Sequence, residues 1–204
     1  SRRIPHEKGS LPHHIRADIS KKEDIIRVFH EISNVTNSLD ALVNNAALQV
    51  CKPIVEMNFE EWDLIFNTNV RSAFLCSKYG YPLLRNKDGA IVNVSSVHAI
   101  ATSGNIAAYA ASKGALLAFT RAAAIEFGKD NIRVNAVLPG AVDTPMLREG
   151  LVRDGGSPDN QELLLKKLSE KHISKRIGKP EEIAKAIYFL ADNNLSSFVT
   201  GQGL

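Results

Sequence analysis

Three side chains that could do chemistry together stand within eighteen positions of one another: Ser96, Tyr109 and Lys113. Tyr109 and Lys113 have the i, i+4 spacing that makes two side chains neighbours on a helix. An adjacent ammonium group favours the ionised form of a phenol. Bringing the phenol pKa from about 10 to neutrality takes roughly 4 kcal/mol. The spacing predicts that Tyr109 is a general acid/base assisted by Lys113, with Ser96 donating a hydrogen bond to the same substrate oxygen.

These residues need a strand and a helix to position them. The apolar run from Ile91 to Val94 predicts a buried strand that ends at the serines, and the Ala-rich segment 107–128 predicts a helix. Further strands are predicted at 14–19, 39–43 and 132–138. Further helices are predicted from Ser20 to about Ser33, from Asn58, and from Pro180 to about Ala191, with capping boxes at Ser20/Glu23 and Asn58/Glu61.

A Tyr-x-x-x-Lys pair alone is a weak signal, but three more segments accompany it in a telling order. They are LVNNAA (42–47), NTNV (67–70) and PGAVDTP (139–145). With Ser96, Tyr109 and Lys113, the chain resembles a short-chain dehydrogenase/reductase over nearly its whole length. The resemblance implies an α/β fold with a Rossmann-type, doubly wound parallel sheet, a nicotinamide cofactor and hydride transfer between an alcohol and a ketone.

The resemblance also implies roles for individual residues. Asn69 would complete the catalytic set, its carbonyl holding a water against Lys113 for proton relay, and Lys113 would also bind the nicotinamide ribose. Ala47 stands where the family usually has Gly. The implied cofactor contacts are Asp18, Ile19, Asn45, Ala46, Ala47, Tyr109, Lys113, Val142 and Thr144.

Simpler structural roles stay open for several of these residues. Asp18 could merely begin a turn, Asn69 could be a helix kink or a packed amide, and Val142 with Thr144 could form an ordinary turn before a helix. The polar, Gly-interrupted segment 146–170 is predicted to be a mobile substrate lid.

Composition excludes several classes of protein. A net charge of +3 is too mild to indicate nucleic-acid binding, and no apolar run suggests a membrane span. Cys51 and Cys76 offer neither a disulfide framework nor metal-ligand spacing, which favours a cytoplasmic location and no metal. With 204 residues and 44% hydrophobic content, the chain suits one domain, residues 1–204.

The chain departs from the family pattern at both ends. It has no Gly-x-x-x-Gly-x-Gly loop, and the family's last strand, which follows VTGQ, is expected to be absent. We therefore expect a truncated domain, a fragment of a longer enzyme, in which the 39–43 strand is an exposed edge. This chain by itself is expected to be poorly soluble and to bind neither NAD nor NADP measurably.

The leading hypothesis is an oxidoreductase that interconverts a small-molecule alcohol and ketone with NAD or NADP. Ser1, Arg2 and Arg3, if they follow the second strand of the family fold, favour NADP slightly. A catalytically silent binding protein and a sugar-nucleotide epimerase or dehydratase remain as alternatives. By resemblance, the 107–128 helix and the helix from Asn58 would form the interface of a homotetramer or homodimer.

Overall fold

The structure is a computed structural model that describes residues 13–153 and 158–204, and its centre is a parallel sheet. Three short strands pair in sequence order, each one hydrogen-bonded to the next. Because they run in parallel, their carboxyl ends meet at one edge of the sheet. The sheet confirms the predicted α/β class. The strands are β1 (Ala41–Asn44), β2 (Ala90–Val94) and β3 (Arg133–Val137).

Helices alternate with the strands along the chain. The helix that carries Tyr109 and Lys113 begins and ends where the Ala-rich segment predicts it. The helices are α1 (Lys22–Val35), α2 (Phe59–Phe66), α3 (Ser72–Arg85), α4 (Ala107–Gly128), α5 (Pro145–Arg153), α6 (Gln161–Lys171), α7 (Pro180–Ala191) and α8 (Asn193–Ser196).

The core lies on both faces of the sheet, because alternate residues of a strand point to opposite sides. Ile91 of β2 packs on one face with residues of α3 and α4. Its neighbour Val92 packs on the other face with Leu190 of α7. The central strand is therefore buried on both faces, which explains why its sequence is almost continuously apolar.

A chain of buried polar groups ties this sheet to α4. Asn44 Nδ2 donates to Asn93 Oδ1 (2.8 Å), and Asn93 Nδ2 donates to Thr120 Oγ1 (2.9 Å). The Thr120 hydroxyl in turn donates to the Leu116 carbonyl (2.8 Å). Asn93 and Thr120 are fully buried, so these bonds satisfy groups that would otherwise be costly to bury. They fix the register of α4 against β2.

Two predictions for the start of the chain are wrong. Residues 14–19 do not form a strand, because nothing among the described residues pairs with them. Ser20 does not cap α1: its hydroxyl donates to Asp18 Oδ1 (2.7 Å), and α1 starts after Lys21 without a side-chain cap. The second predicted capping box is confirmed, since Asn58 and Glu61 bond each other's backbone N–H groups (2.8 and 3.2 Å).

The two edges of the sheet differ. Within the described residues β1 pairs only with β2, and Val43 is partly exposed, as expected for the 39–43 segment. On the other side, residues 201–204 lie parallel to β3. Gly201 N–H donates to Val134 O (2.8 Å), and Leu138 N–H donates to Leu204 O (2.7 Å). After VTGQ, Gly203 forms an isolated bridge with Ala136 and not a full strand of the sheet.

Candidate active site

Ser96, Tyr109 and Lys113 meet at the carboxyl edge of the sheet. Ser96 follows β2 directly, and the other two side chains come from the first two turns of α4. The phenol and the amine are largely withdrawn from solvent, since Tyr109 is 8% exposed and Lys113 is 2% exposed. The sheet edge and the helix therefore bring the three residues together in a largely dry environment.

Hydrogen bonds fix this arrangement. The Ser96 hydroxyl lies close enough to the Tyr109 phenol to lower its pKa. Lys113 Nζ donates to the Val94 carbonyl (2.6 Å) and lies 5.5 Å from the centroid of the Tyr109 ring. Ser95 Oγ donates to the Lys113 carbonyl (2.8 Å), which pins α4 to the end of β2. The predicted neighbourhood of phenol, hydroxyl and amine is thus present.

The electrostatics differ from the prediction for Tyr109. Burial raises the pKa of its phenol, the Ser96 hydroxyl opposes this shift, and Cys51 adds to it. Burial also lowers the pKa of Lys113 to about 8. The expectation that Lys113 brings the phenol pKa close to neutrality is wrong, since the phenol pKa is raised. Both groups are buried, so removal from water favours the neutral form of each.

The Lys113 amine predicts how stability depends on pH. Its folded-state pKa of about 8 lies below its ordinary value of 10.5, so the unfolded chain binds more protons between these limits. The free energy of unfolding should therefore gain about 3 kcal/mol from this group as pH rises from 8 to 10.5. Urea titrations across this range, on the wild type and Lys113→Met, measure the gain as a difference between the proteins. If the free energy of unfolding changes with pH equally in the two proteins, the predicted gain from Lys113 is contradicted.

Asn69 lies in a π-helical segment, Asn67–Arg71, that joins α2 to α3 without a break. Such wide turns occur frequently at functional sites. The Asn69 side chain accepts from Leu48 N–H (2.8 Å) and donates to Leu48 O (2.9 Å) and Ser112 Oγ (3.0 Å). It is a packed amide that clamps the loop after β1 to α4. Its two donors and its carbonyl oxygen are therefore in use.

The small residues after β1 line the same edge of the sheet. Asn45 and Ala46 are exposed there, and Ala47 is half-buried. Short side chains leave the backbone open to a ligand. The loop after β3 carries Val142 and Thr144, and Thr144 Oγ1 accepts from Leu147 N–H at the start of α5 (3.3 Å). The threonine is thus a helix cap in this structure.

Asp18 and Ile19 form a turn before α1 and do not contact the catalytic trio directly. The Asp18 carboxylate accepts from the backbone N–H (3.0 Å) and hydroxyl of Ser20, and these bonds lower its pKa. The turn role of Asp18 is therefore present in the structure. Ser1, Arg2 and Arg3, on which the leaning towards NADP depends, lie outside the described residues.

The predicted lid contains two helices, α5 and α6. The residues that flank the lid on either side meet, because Gly178 N–H donates to Ala141 O (2.9 Å) and Asp143 N–H donates to Gly178 O (2.9 Å). Arg148 of α5 bonds both carboxylate oxygens of Asp143 (2.7 and 3.0 Å) and one of Glu162 (2.9 Å). The described part of the lid is therefore ordered by helices and by this ion-pair network.

Several residues of the site were missed from the sequence. Ser112 links Asn69 to α4, and its hydroxyl also donates to the Tyr109 carbonyl (2.7 Å). In the sequence, the available signal for this role was that Ser112 is a polar residue next to Lys113. Cys51 influences the phenol although it lies far from it in sequence. The sequence pattern does not reveal this proximity.

Two properties of the described residues concern membranes and metals. None of the described helices is both long enough and apolar enough to span a bilayer. Within residues 13–153 and 158–204, no group of three His, Cys, Asp or Glu side chains is arranged to hold a metal ion.

The family model described as Enoyl-(Acyl carrier protein) reductase matches residues 2–204. Among curated proteins, cyclopentanol dehydrogenase of Comamonas testosteroni is 36% identical over 198 residues, which is 97% of this chain and 76% of the relative. Among solved structures, ligand-free aldohexose dehydrogenase of Thermoplasma acidophilum superposes with a TM-score of 0.88 at 32% identity. That match covers 98% of this chain and 78% of the other.

Two further structures contain a bound cofactor. ElxO with NADP is 29% identical, with a TM-score of 0.80 over 92% of this chain and 73% of the other. Xylitol dehydrogenase with NAD+ is 28% identical, with a TM-score of 0.84 over 92% of this chain and 75% of the other. With the parallel sheet, the trio at its edge and these likenesses, the chain belongs to the short-chain dehydrogenase/reductase family.

Proposed function

We propose that this protein interconverts a secondary alcohol and a ketone with NAD or NADP, using Tyr109 as the general acid/base. The observation that carries the proposal is the joint burial of Ser96, Tyr109 and Lys113 at the sheet edge, with the Lys113 amine 5.5 Å from the centroid of the phenol ring. Two hydroxyl groups that converge in a largely dry site can hold one substrate oxygen. This is the geometry that proton transfer at a carbonyl or alcohol oxygen needs.

The residues at the sheet edge fit a nicotinamide cofactor. Asn45 and Ala46 are short and exposed, and the Lys113 amine provides donors close to the phenol. In our proposal Asp18, Ile19, Asn45, Ala46, Ala47, Val142 and Thr144 line the cofactor, with Tyr109 and Lys113 at its ribose. When bound, the nicotinamide supplies the acceptor or donor of hydride.

In the oxidation direction, Ser96 donates a hydrogen bond to the substrate oxygen while the ionised Tyr109 takes the hydroxyl proton. In the reduction direction, the neutral phenol returns that proton to the oxygen. Burial favours the neutral phenol. A cation brought by the oxidised cofactor, together with Lys113, would offset this effect and favour the ionised form.

In this proposal the side chain and the main-chain carbonyl of Asn69 have separate roles. Its side chain already holds Leu48 and Ser112. A water that relays protons to Lys113 would therefore be held by the main-chain carbonyl of Asn69, in the widened turn of the π-helical segment. The side chain would keep the loop after β1 in place against α4.

The test of the function is an assay with a panel of alcohols. Purified protein, in a version extended upstream through the family's glycine-rich loop, would be mixed with NAD or NADP and with cyclopentanol, an aldohexose, xylitol or other polyols, and reduced cofactor would be followed by fluorescence. This extended version is used in all the kinetic tests. These compounds reflect what the similar proteins are named for. Formation of reduced cofactor in step with ketone supports the proposal. Cofactor binding without turnover of any alcohol or ketone would favour the silent binding protein.

We propose a slight preference for NADP, on the sequence alone, because Arg2 and Arg3 would follow the second strand of the family fold. A guanidinium group pairs well with a ribose phosphate. The ratio of kcat/KM for NADP and NAD, in the wild type and in the Arg2→Ala/Arg3→Ala double variant, measures the preference. An unchanged ratio would remove the two arginines from the proposal.

We also propose that α3 and α4 form the interface of a homodimer or homotetramer. Their outer surfaces present a shallow apolar groove, and Ile125 of α4 is 82% exposed. Apolar surface of this kind marks a binding surface for a partner. The groove is lined mainly by rings, from Phe74, Tyr81, Phe119 and Phe127.

Phe74→Glu should convert the assembled protein to monomers, because it buries a charge in the centre of this groove. Size-exclusion chromatography with light scattering measures the mass. Val35→Glu, an exposed apolar residue at the end of α1, is the control and should leave the mass unchanged. An unaltered mass for Phe74→Glu would show that the subunits meet elsewhere.

A further inference from the structure

His98 contacts both residues that would hold the substrate oxygen. It lies in a single 3-10 turn, Val97–Ala99, directly after Ser96. Its backbone N–H donates to Ser96 Oγ (3.2 Å). Its ring meets Tyr109 edge-on, with the ring centroids 6.0 Å apart and the planes at 76°. His98 is therefore the residue that links the hydroxyl group at the sheet edge to the phenol on α4.

The imidazole is itself fixed. Its Nδ1 lies 3.1 Å from Thr102 Oγ1, one turn further along the loop. A ring held at one nitrogen has one preferred orientation. Burial lowers the pKa of His98, so the ring is neutral at neutral pH and adds no charge beside the phenol. The His98 ring therefore acts on Tyr109 through packing, as a rigid edge against the phenol ring.

We propose that His98, held by Thr102, is a positioning residue that keeps the Tyr109 phenol aligned with Ser96. The proposal rests on the function proposed above. Reaction rates depend steeply on such alignment, since a displacement of about 1 Å can cost on the order of a hundredfold. The edge-on contact with the His98 ring constrains the orientation of the Tyr109 ring.

Thr102 provides the sharpest test, because it is exposed and can be changed with little risk to folding. Thr102→Val keeps the shape and removes the hydroxyl, whereas Thr102→Ser keeps the hydroxyl. We expect Thr102→Val and His98→Phe each to lower kcat about tenfold with KM for the cofactor unchanged. Thr102→Ser should retain wild-type kcat. The double variant should be no slower than the slower single variant, because both changes break one contact.

Wild-type kcat in Thr102→Val, or equal losses in Thr102→Val and Thr102→Ser, would overturn the proposal. A second readout does not depend on turnover. The ring signals of Tyr109 in a 13C-tyrosine NMR spectrum, assigned with Tyr109→Phe, should shift in Thr102→Val and stay in place in Thr102→Ser. Unmoved signals in Thr102→Val would likewise overturn it. An inactive wild type whose Tyr109 signals still respond would count against the proposed function alone.

Discussion

Tyr109→Phe should lower kcat by a hundredfold or more while leaving the affinity for the cofactor near its wild-type value. The substitution removes the hydroxyl that would exchange a proton with the substrate and keeps the ring that packs against His98. Loss of a general acid/base costs on the order of 10² to 10⁴ in rate. Because the ring stays, the fold and the cofactor surface should change little.

Steady-state kinetics with the best alcohol from the panel, together with a fluorescence titration of the cofactor, measure both quantities. Tyr188→Phe is the matched control, since it removes an exposed hydroxyl from α7. It should behave as the wild type. Turnover in Tyr109→Phe that is comparable to the wild type would remove Tyr109 from the mechanism and with it the proposed reaction.

Lys113→Met should lose both turnover and cofactor affinity. Methionine keeps the length and apolar body of the side chain but removes the amine that donates to Val94 O and lies beside the phenol. Since that amine would also bind the nicotinamide ribose, cofactor affinity should fall together with a loss of kcat on the order of a hundredfold.

Lys185→Met, an exposed lysine of α7, provides the control for the loss of a positive charge. It should change neither quantity. A Lys113→Met protein with reduced turnover but normal cofactor affinity would limit Lys113 to its action on the phenol. A protein with normal turnover would contradict both roles.

The sequence predicts the central part of this molecule well because its signals are local. Spacing places Tyr109 and Lys113 on one face of a helix, and an apolar run ending in serines marks β2. Both follow from backbone geometry over a few residues. The capping box of Asn58 and Glu61 at the start of α2 is similarly local, and it forms as predicted.

Failures occur where a group has more than one possible partner. Ser20 could cap α1 but bonds to Asp18, and the resulting turn leaves α1 uncapped. Whether residues 14–19 form a strand depends on a neighbour to pair with. The side chain of Asn69 faces a similar choice, and it closes on Leu48, twenty-one residues earlier.

Electrostatics are the least predictable part of the site. Spacing indicates that an amine lies near the phenol, but it does not indicate how much water remains around them. In the folded chain both groups are almost fully buried, so removal from water dominates the pKa of each. The sequence therefore predicts correctly that Tyr109 and Lys113 lie together. It predicts incorrectly the direction in which the phenol pKa shifts.

The lid leaves the sheet edge at Ala141–Asp143 and returns to the same point at Gly178, where the two ends are hydrogen-bonded to each other. A segment whose ends are already joined can change in length or sequence without pulling on β3 or α7. This part of the chain can therefore be exchanged as one unit, in evolution and in protein engineering. We propose that grafting the corresponding segment of a relative between Asp143 and Gly178 would change substrate preference while leaving Ser96, Tyr109 and Lys113 in place.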